Sequence, residues 1–547
     1  MKTSRRTFLG GAAAAVGLAT GGALARAQQG GGQGPAKAGS PQAAGLPPAP
    51  APPADLLLIN GRIHTMDAKN RVVSQLLIRG GRFAAVGDNV GKPAGIKAVD
   101  LRGRTVVPGI VDAHDHIVLV GNRPGWNTPL EHVFTIPDAI AALKTRAAGV
   151  PADGIITSIG TISAMQFAEG RLPTLAELDA VGRAVYLQGA QGGTRTNSQG
   201  RTWLAARGVT VGDDGTLGGQ AAGPALLALR RELLTPETRM RGAFDALAYY
   251  ARLGITIHKD SGAFHAEEPA PGIASENTYT MHQPFLALHR EGRMPARLRI
   301  DFLHQDPPNA TPPLPTLAPR LRNSFPFFGD EWIKTGGIGE FTGGGIEGLR
   351  AIARAGWRAE DHALNLKGAE ALIASREMVH KEIPITNLRW IISHIPGFTT
   401  ALADRAHALG MGVLVGWGPT RTGTNVGPPY RTLSKHPIRM GYHSDGGDIT
   451  LISPWLNLYT IVTGRNLAGQ AILGEETLSR QEALAMATRD NKWFIGEDDI
   501  GSIEVGCHAD LAVLDRDYFK VPDEELKRIV SVLTIVGGRV MHNAGTL

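Results

Sequence analysis

Two apolar patterns alternate along this chain. From residue 55 to 108, short apolar runs are separated by glycine-rich turns: Leu56-Leu57-Leu58-Ile59-Asn60-Gly61-Arg62-Ile63, then Gln75-Leu76-Leu77-Ile78-Arg79, then Arg82-Phe83-Ala84-Ala85-Val86-Gly87 after Gly80-Gly81. Such runs bounded by turn residues predict strands. The texture returns near the C-terminus in Ala509-Asp510-Leu511-Ala512-Val513-Leu514-Asp515 and Val532-Leu533-Thr534-Ile535-Val536. Two β-rich ends around a long middle predict one small β-sandwich built from both termini.

In the middle, β-like runs alternate with helical periodicity. Strands are predicted at Val185-Tyr186-Leu187-Gln188, Ile255-Thr256-Ile257-His258, Arg297–Phe302, Trp332-Ile333-Lys334, Leu388–Ser393, Met411–Val415 and Arg439–Tyr442, and helices over 226–252, 368–381, 400–409 and 480–489. Repeated strand–helix units predict an α/β fold of the TIM-like (β/α)8 barrel kind. The proline pairs in 305–328 predict a long loop over the barrel mouth.

One run carries candidate chemistry. Thr105-Val106-Val107-Pro108-Gly109-Ile110-Val111 reads as a buried strand, and it leads into Asp112-Ala113-His114-Asp115-His116. Residues i and i+2 of a strand share a face, so His114 and His116 can grip one ion. Imidazole nitrogen suits zinc and its neighbours. Other polar residues close apolar runs in the same way: Lys334 ends WIK, His394 ends WIISH, and Asp445 follows a strand in GYHSD. His362 lies in EDHALNL. In a barrel, these positions aim at one point at the C-terminal mouth. His436 and His443 are rival ligands near the last strand. His258 sits at a strand end, where it meets substrate or supports another group. Asp112 and Asp115 read as supporting or capping groups rather than ligands.

Composition narrows the class. The chain has 547 residues, 43% of them hydrophobic, with 70 glycines. That is long enough for a large core and more than one domain. The net charge of +6 invites a nucleic-acid reading, but Lys and Arg are scattered without a dense basic run. No nucleic-acid partner is expected. The sole cysteine, Cys507, excludes an intramolecular disulfide.

The N-terminus reads as a targeting segment. Arg5-Arg6 precede a small-residue apolar stretch, and Ala25-Arg26-Ala27 offers a cleavage site. This is similar to a twin-arginine export signal over 1–27. The apolar stretch is too short for a stable membrane span. Residues 28–54, rich in Gly, Pro and Ala, read as a disordered tether. The expected organisation is then 55–108 and 496–547 for the sandwich and 109–495 for the barrel.

The order of these motifs resembles the amidohydrolase superfamily, and within it the amidohydrolase-3 group that includes N-substituted formamide deformylases. PGIVDAHDH resembles the group's opening metal motif. FTIPDAI and RLPTLAELDAVGRAVYLQG resemble its first half, and LSRQEALAMATRDNKWFIGEDDIGSIEVGCHADLAVLD is similar to its closing segment. The resemblance covers about 55–547 and implies a metal-binding barrel with a flanking β-sandwich. It implies His114, His116, His362 and His394 as ligands and Asp445 as ligand and proton shuttle. It also implies Lys334 as a lysine that relatives often carbamylate to bridge two metals. An unmodified ammonium has no lone pair for a metal, and TGGIGEF departs from the aspartate-glycine that commonly follows this lysine. The loop Gln191–Ser198 resembles the group's loop before an asparagine-serine pair, which makes Asn197 a candidate pocket residue.

The expected function is an exported hydrolase, periplasmic or secreted after passage through the twin-arginine translocation machinery. It would carry one or two divalent ions, zinc first among them, and cut a C–N bond in an amide, formamide or cyclic amide. Asp445 takes the proton of the attacking water, with His394 or His362 at the metal or the oxyanion. The alternatives are another bond (ester, carbamate or ring deamination) or a non-catalytic metal- and ligand-binding protein. The partner is a small-molecule substrate. Arg195, Arg421 and Arg431 are candidates for a substrate carboxylate, although each also fits an ordinary surface role.

Overall fold

Strand Ile110–Asp115 (β1) is buried along its whole length. So are Ile255–Asp260 (β2) and Arg297–Phe302 (β3). The computed structural model describes residues 46, 48–190, 193–262, 278–416, 418–423, 427–447 and 450–547. Ile333–Ile338 (β4) completes a four-stranded parallel sheet in the order β4-β3-β2-β1. A second parallel sheet runs Glu360–Ala363 (β5), Ile391–His394 (β6), Gly412–Val415 (β7) and Arg439–Tyr442 (β8) in chain order.

The edges of the two sheets meet. A parallel bridge between Ile338 and Ala359 joins the end of β4 to the start of β5. On the other side, the Asn491 side chain takes the Tyr442 N–H at 2.9 Å and donates to Val111 and Tyr442 carbonyls at 2.7 and 2.8 Å. Higher up, Asp445 N–H donates to the His114 carbonyl at 3.0 Å and His116 N–H to that of Gly446 at 2.9 Å. These contacts carry backbone pairing from β8 back to β1, and Asp445 is fixed by the strand that carries the two histidines.

Helices cover the strands. The predicted helix over 226–252 is two helices, Gly219–Leu233 and Pro236–Arg252. The break is written in Thr235-Pro236: the residue before proline is pushed out of the helical region, and Thr235 is extended at φ −113° and ψ 168°. Its hydroxyl then accepts from Thr238 N–H to begin the second helix. The predicted loop at 305–328 includes a short helix, Leu317–Asn323.

Val185–Gln188 does not join the eight parallel strands. Ala184–Leu187 belongs to a five-stranded sheet between β1 and β2, with Trp126–Pro129, Ile155–Ile159, Thr194–Thr196 and Thr216–Leu217. Separate apolar clusters, around Val185 with Leu187 and around Tyr186 with Leu217, cover its two faces. A strand buried on both faces has the same apolar signature in either sheet, so its pattern does not reveal which sheet takes it.

The chain ends share a six-stranded sheet. Arg539–Asn543, Ser531–Val536 and Leu511–Leu514 pair in turn, and Leu511–Leu514 pairs with Thr105–Pro108, which adjoins Arg62–His64 and Val72–Val73. The first predicted run splits at Asn60-Gly61, where Asn60 turns to φ 55°. A four-stranded sheet holding Leu56–Ile59, Gln75–Arg79, Arg82–Gly87 and Lys97–Asp100 shares one apolar core with the six-stranded sheet, through Leu58, Ile78, Phe83, Val106, Leu511 and Ile535. Residues 1–27, expected to form an export signal, and most of the expected tether 28–54 lie outside the described residues; 48–54 has no regular structure.

Candidate metal centre

The C-terminal ends of β1, β4, β5, β6 and β8 bring their polar residues together. His114, His116, Glu340 and Asp445 form one group whose ligand atoms lie within 4.8 Å of one another, and Glu340, His362 and His394 form a second. Glu340 belongs to both. One of its oxygens lies 2.6 Å from His362 Nδ1 and 3.4 Å from His394 Nε2, and the other lies 3.4 Å from His116 Nε2. Across the first group, Asp445 Oδ1 is 3.4 Å from His114 Nε2 and 3.3 Å from His116 Nε2. A carboxylate with two oxygens, each facing a different set of imidazoles, has the form of a bridge.

Lys334 is not in either group. It lies near the start of β4, where its ammonium pairs with Glu497 at 3.1 Å. The sequence suggested a strand ending at this lysine, which closes the apolar run WIK. The strand instead continues through both glycines to Ile338, with a break in its register against β3 between Thr335 and Ile338, and Glu340 lies two residues beyond its end, at the mouth. Glycine is required at 336 because a Cβ there would lie 2.1 Å from Asp301 Oδ1. An ammonium tied to a carboxylate at the far end of the strand cannot act as a bridging ligand, whereas Glu340 needs no modification. Its place just past the end of a strand, as for Asp445, was the signal that could have found Glu340.

Electrostatics agree with a site built to be charged. Burial alone would lower His114, but Glu360, Asp445 and Glu340 outweigh it and raise its pKa to about 10. Burial opposes ionisation of Glu340, yet hydrogen bonds from His116, His362 and His394 hold it well below the usual carboxylate range. Asp445 is held low in the same sense, by His394 and His114 against its burial. The backbone is also bent for the purpose. His394, Ile395 and Asp445 sit at φ 72°, 42° and 55°, a region costly for residues other than glycine and often found at functional sites.

The residues fit a divalent ion. His114 Nε2 and Asp445 Oδ1 are both buried without a sound hydrogen bond among the described groups, although they face one another. Imidazole nitrogens and carboxylate oxygens are the donors zinc prefers among N/O ligands. His443 stands beside this set, buried, with its ring 5.1 Å from that of His114 and 4.8 Å from that of His394. Neither of its nitrogens has a hydrogen-bond partner among the described residues. His436 is elsewhere, 3.0 Å from Asp404.

The remaining candidates have structural surroundings. His258 is fully buried, bonded through Nδ1 to Asp115 Oδ2 at 2.5 Å and packed against Tyr250. Asn197 caps the helix Ser198–Ala205, and its side chain also accepts from Val185 N–H and donates to Arg183 and Leu178 carbonyls. Gln191-Gly192 lie outside the described residues. Asp112 takes the N–H groups of Ser444 and His114 at 3.0 and 3.4 Å. Arg431 is paired with Glu482. Arg421 is half-buried; burial pushes its pKa down and the charge of Asp445 pushes back, which puts it within electrostatic reach of the centre.

Residues 97–542 match the amidohydrolase family. The chain belongs to that family. Among curated relatives, the N-substituted formamide deformylase of Arthrobacter pascens is 32% identical over 134 residues, 23% of this chain and 24% of that protein. This match thus spans about a quarter of the relative's length. Among solved structures, an uncharacterised metal-dependent hydrolase from Pyrococcus furiosus superposes with a TM-score of 0.57 at 18% identity, over 85% of this chain and 100% of that one. Atrazine chlorohydrolase from Arthrobacter aurescens TC1, complexed with zinc, gives 0.51 at 16% identity over 89% and 95%. Both likenesses lie in the fold.

Proposed function

We propose that this amidohydrolase-family chain is a metal-dependent hydrolase of a C–N bond in an amide, formamide or cyclic amide, with two divalent ions held on either side of Glu340. The observation that carries the reading is that Glu340 presents one oxygen to His116 and the other to His362 and His394. His114, His116 and Asp445 would hold one ion, and His362 and His394 the other. Zinc fits the donors, and the neighbour solved with zinc supports it. The formamide deformylase likeness supports the bond class.

When bound, divalent ions supply Lewis acidity, which activates water and polarises the scissile carbonyl. The protein's own residues do the rest. Asp445, fixed by its N–H to the strand carrying the histidines, takes the proton of the attacking water and hands it to the leaving nitrogen. His362, with a side chain 29% exposed, is the most open of these groups and marks the side from which substrate enters. The eight parallel strands are read as a closed (β/α)8 barrel over 109–495 that includes the five-stranded insertion. The two terminal sheets are read as its sandwich companion, from 55–108 and 496–547. The Arg5-Arg6 segment supports export over 1–27 and a periplasmic or secreted location.

The test is metal analysis joined to a substrate panel. Protein purified without added metal should carry or take up about two zinc equivalents. It should hydrolyse members of an amide, formamide and cyclic-amide panel in preference to matched esters and carbamates. Chelation should abolish turnover and zinc restore it. No metal uptake on reconstitution, or turnover indifferent to chelation, overturns the proposal.

A further inference from the structure

Behind His114 runs a line of buried charge. His114 Nδ1 lies 2.5 Å from Glu360 Oε1, and the other Glu360 oxygen pairs with Lys259 Nζ. Lys259 also donates to Asp301 Oδ2 at 3.0 Å, and Asp301 Oδ1 takes Arg358 Nη2 at 3.1 Å. Arg358 ends the line on the Phe494 carbonyl. The side chains of His114, Glu360, Lys259, Asp301 and Arg358 are all fully buried. They come from β1, β5, β2 and β3 and the residue two before Glu360, so the line crosses the interior between strands.

Four buried ionisable groups in a line are weak evidence of a contribution to stability. Each ion loses several kcal/mol of solvation, and replacing such a pair by apolar residues is often neutral or stabilising. The fold nevertheless makes room for them. A Cβ on Gly336 would lie 2.1 Å from Asp301 Oδ1 and 3.0 Å from Arg358 Nη2, and one on Gly337 would lie 3.1 Å from Arg358 Nε.

The histidines of the centre differ in what stands behind them. His116 Nδ1 is 2.8 Å from the carbonyl of Gly262, a neutral acceptor. His362 Nδ1 faces Glu340 itself. Behind His114 stands a carboxylate that is in neither ligand group. A carboxylate at Nδ1 fixes the tautomer, turns the ring, and leaves the Nε2 lone pair pointing forward.

We propose that Glu360 is a positioning residue that fixes the ring and tautomer of His114 for metal binding, and that Lys259, with Asp301 and Arg358 behind it, holds Glu360 in place. The inference rests on the metal-centre reading above. Glu360 is in neither ligand group, and its role passes through His114. Lys259, itself held by Asp301, stops the Glu360 carboxylate from rotating away, because His114 takes one of its oxygens and Lys259 the other.

The test separates ring positioning from charge balance. Zinc affinity, by competition with a chelator, and the absorption spectrum of the cobalt-substituted protein are measured beside urea unfolding. In Glu360→Gln the zinc affinity should fall about 10- to 100-fold, with a changed cobalt spectrum and a lower unfolding midpoint. In the apolar pair Lys259→Met/Glu360→Met the unfolding midpoint should return towards wild type, since both members of the ion pair are gone. Its zinc affinity should stay at least as low as in Glu360→Gln. Zinc affinity that recovers together with the midpoint in the pair would make the line a charge-balancing device and overturn the proposal. So would unchanged affinity in Glu360→Gln, or an apolar pair that cannot fold. A wild-type protein that takes up no zinc would instead sink the metal-centre reading, and the positioning role with it.

Discussion

Gly336 and Asp301 share one space: a Cβ added to the glycine would stand 2.1 Å from Asp301 Oδ1. The aspartate cannot yield, because Lys259 holds one oxygen and Arg358 the other. Overpacking a buried site costs roughly 1–3 kcal/mol and sometimes more. Gly336→Ala should therefore lose about 3 kcal/mol, read as a lower urea midpoint. Gly368→Ala is the control. That helix position meets only an ordinary contact at 3.4 Å, and alanine there should gain up to about 1 kcal/mol. Equal midpoints for the two variants would show that β4 has slack the structure does not show.

Lys334 and Glu340 give opposite forecasts from positions six residues apart, one near the start of β4 and one past its end. Lys334→Met removes an ion pair whose acid, Glu497, remains held by Arg299 at 2.6 Å. The cost should be about 1 kcal/mol or less, with zinc content and turnover unchanged. Glu340→Ala removes the group facing three histidines. It should release at least one zinc equivalent and lower kcat/KM by at least about 100-fold, since even residues behind a ligand cost 10- to 100-fold in metal affinity. A Lys334→Met protein lacking zinc would restore the lysine to the centre.

How far these sites could be read beforehand depends on how local their signals are. His114 and His116 sit two apart on an apolar strand, so a local pattern places them on one face. His394 closes an apolar run, and Asp445 comes three residues after the end of a strand. Glu340 was hidden because the apolar run WIK stops at Lys334 and the strand goes on through two glycines, needed for space around Asp301 and Arg358. Glu360 and Lys259 were invisible for a different reason. Each is an ordinary charged residue in sequence, and only the packing of β2 against β5 across the interior makes them partners of His114. The fold class was legible from alternation, but membership of a strand in one sheet or another, as for Ala184–Leu187, is a tertiary choice that periodicity does not encode.

His64 should couple stability to pH. Its ring stacks on Phe519 with centroids 3.8 Å apart, and its Nε2 is buried without a partner among the described residues. Burial lowers its pKa from 6.5 to about 4, with Asp517 opposing and Arg62 assisting. The folded state thus prefers the neutral ring. Above pH 6.5 neither state takes a proton and the contribution is intact. As pH falls from 6.5 towards 4, the unfolded chain binds a proton that the folded one refuses, and stability declines. Urea midpoints of wild type and His64→Phe at pH 7.5 and 4.5 check this; the variant should lose less on acidification. An equal loss in both would assign the acid sensitivity to other groups.

Asn197 offers the sharpest contrast between a pocket role and a structural one. Its Oδ1 accepts from Val185 N–H at 3.1 Å and Gly200 N–H at 3.0 Å, and its Nδ2 donates to Arg183 and Leu178 carbonyls at 2.7 and 3.3 Å. All the ordinary hydrogen-bonding capacity of the amide is spent within the insertion between β1 and β2, which ties a strand, a helix start and a turn together. Asn197→Ala leaves buried N–H groups without an acceptor, at about 1–3 kcal/mol each, and removes a helix cap worth about 1 kcal/mol. The variant should lose about 3 kcal/mol or more on that basis. Its zinc content, and its KM and kcat measured well below the unfolding transition, should match wild type. A raised KM with an unchanged unfolding midpoint would return Asn197 to the substrate pocket.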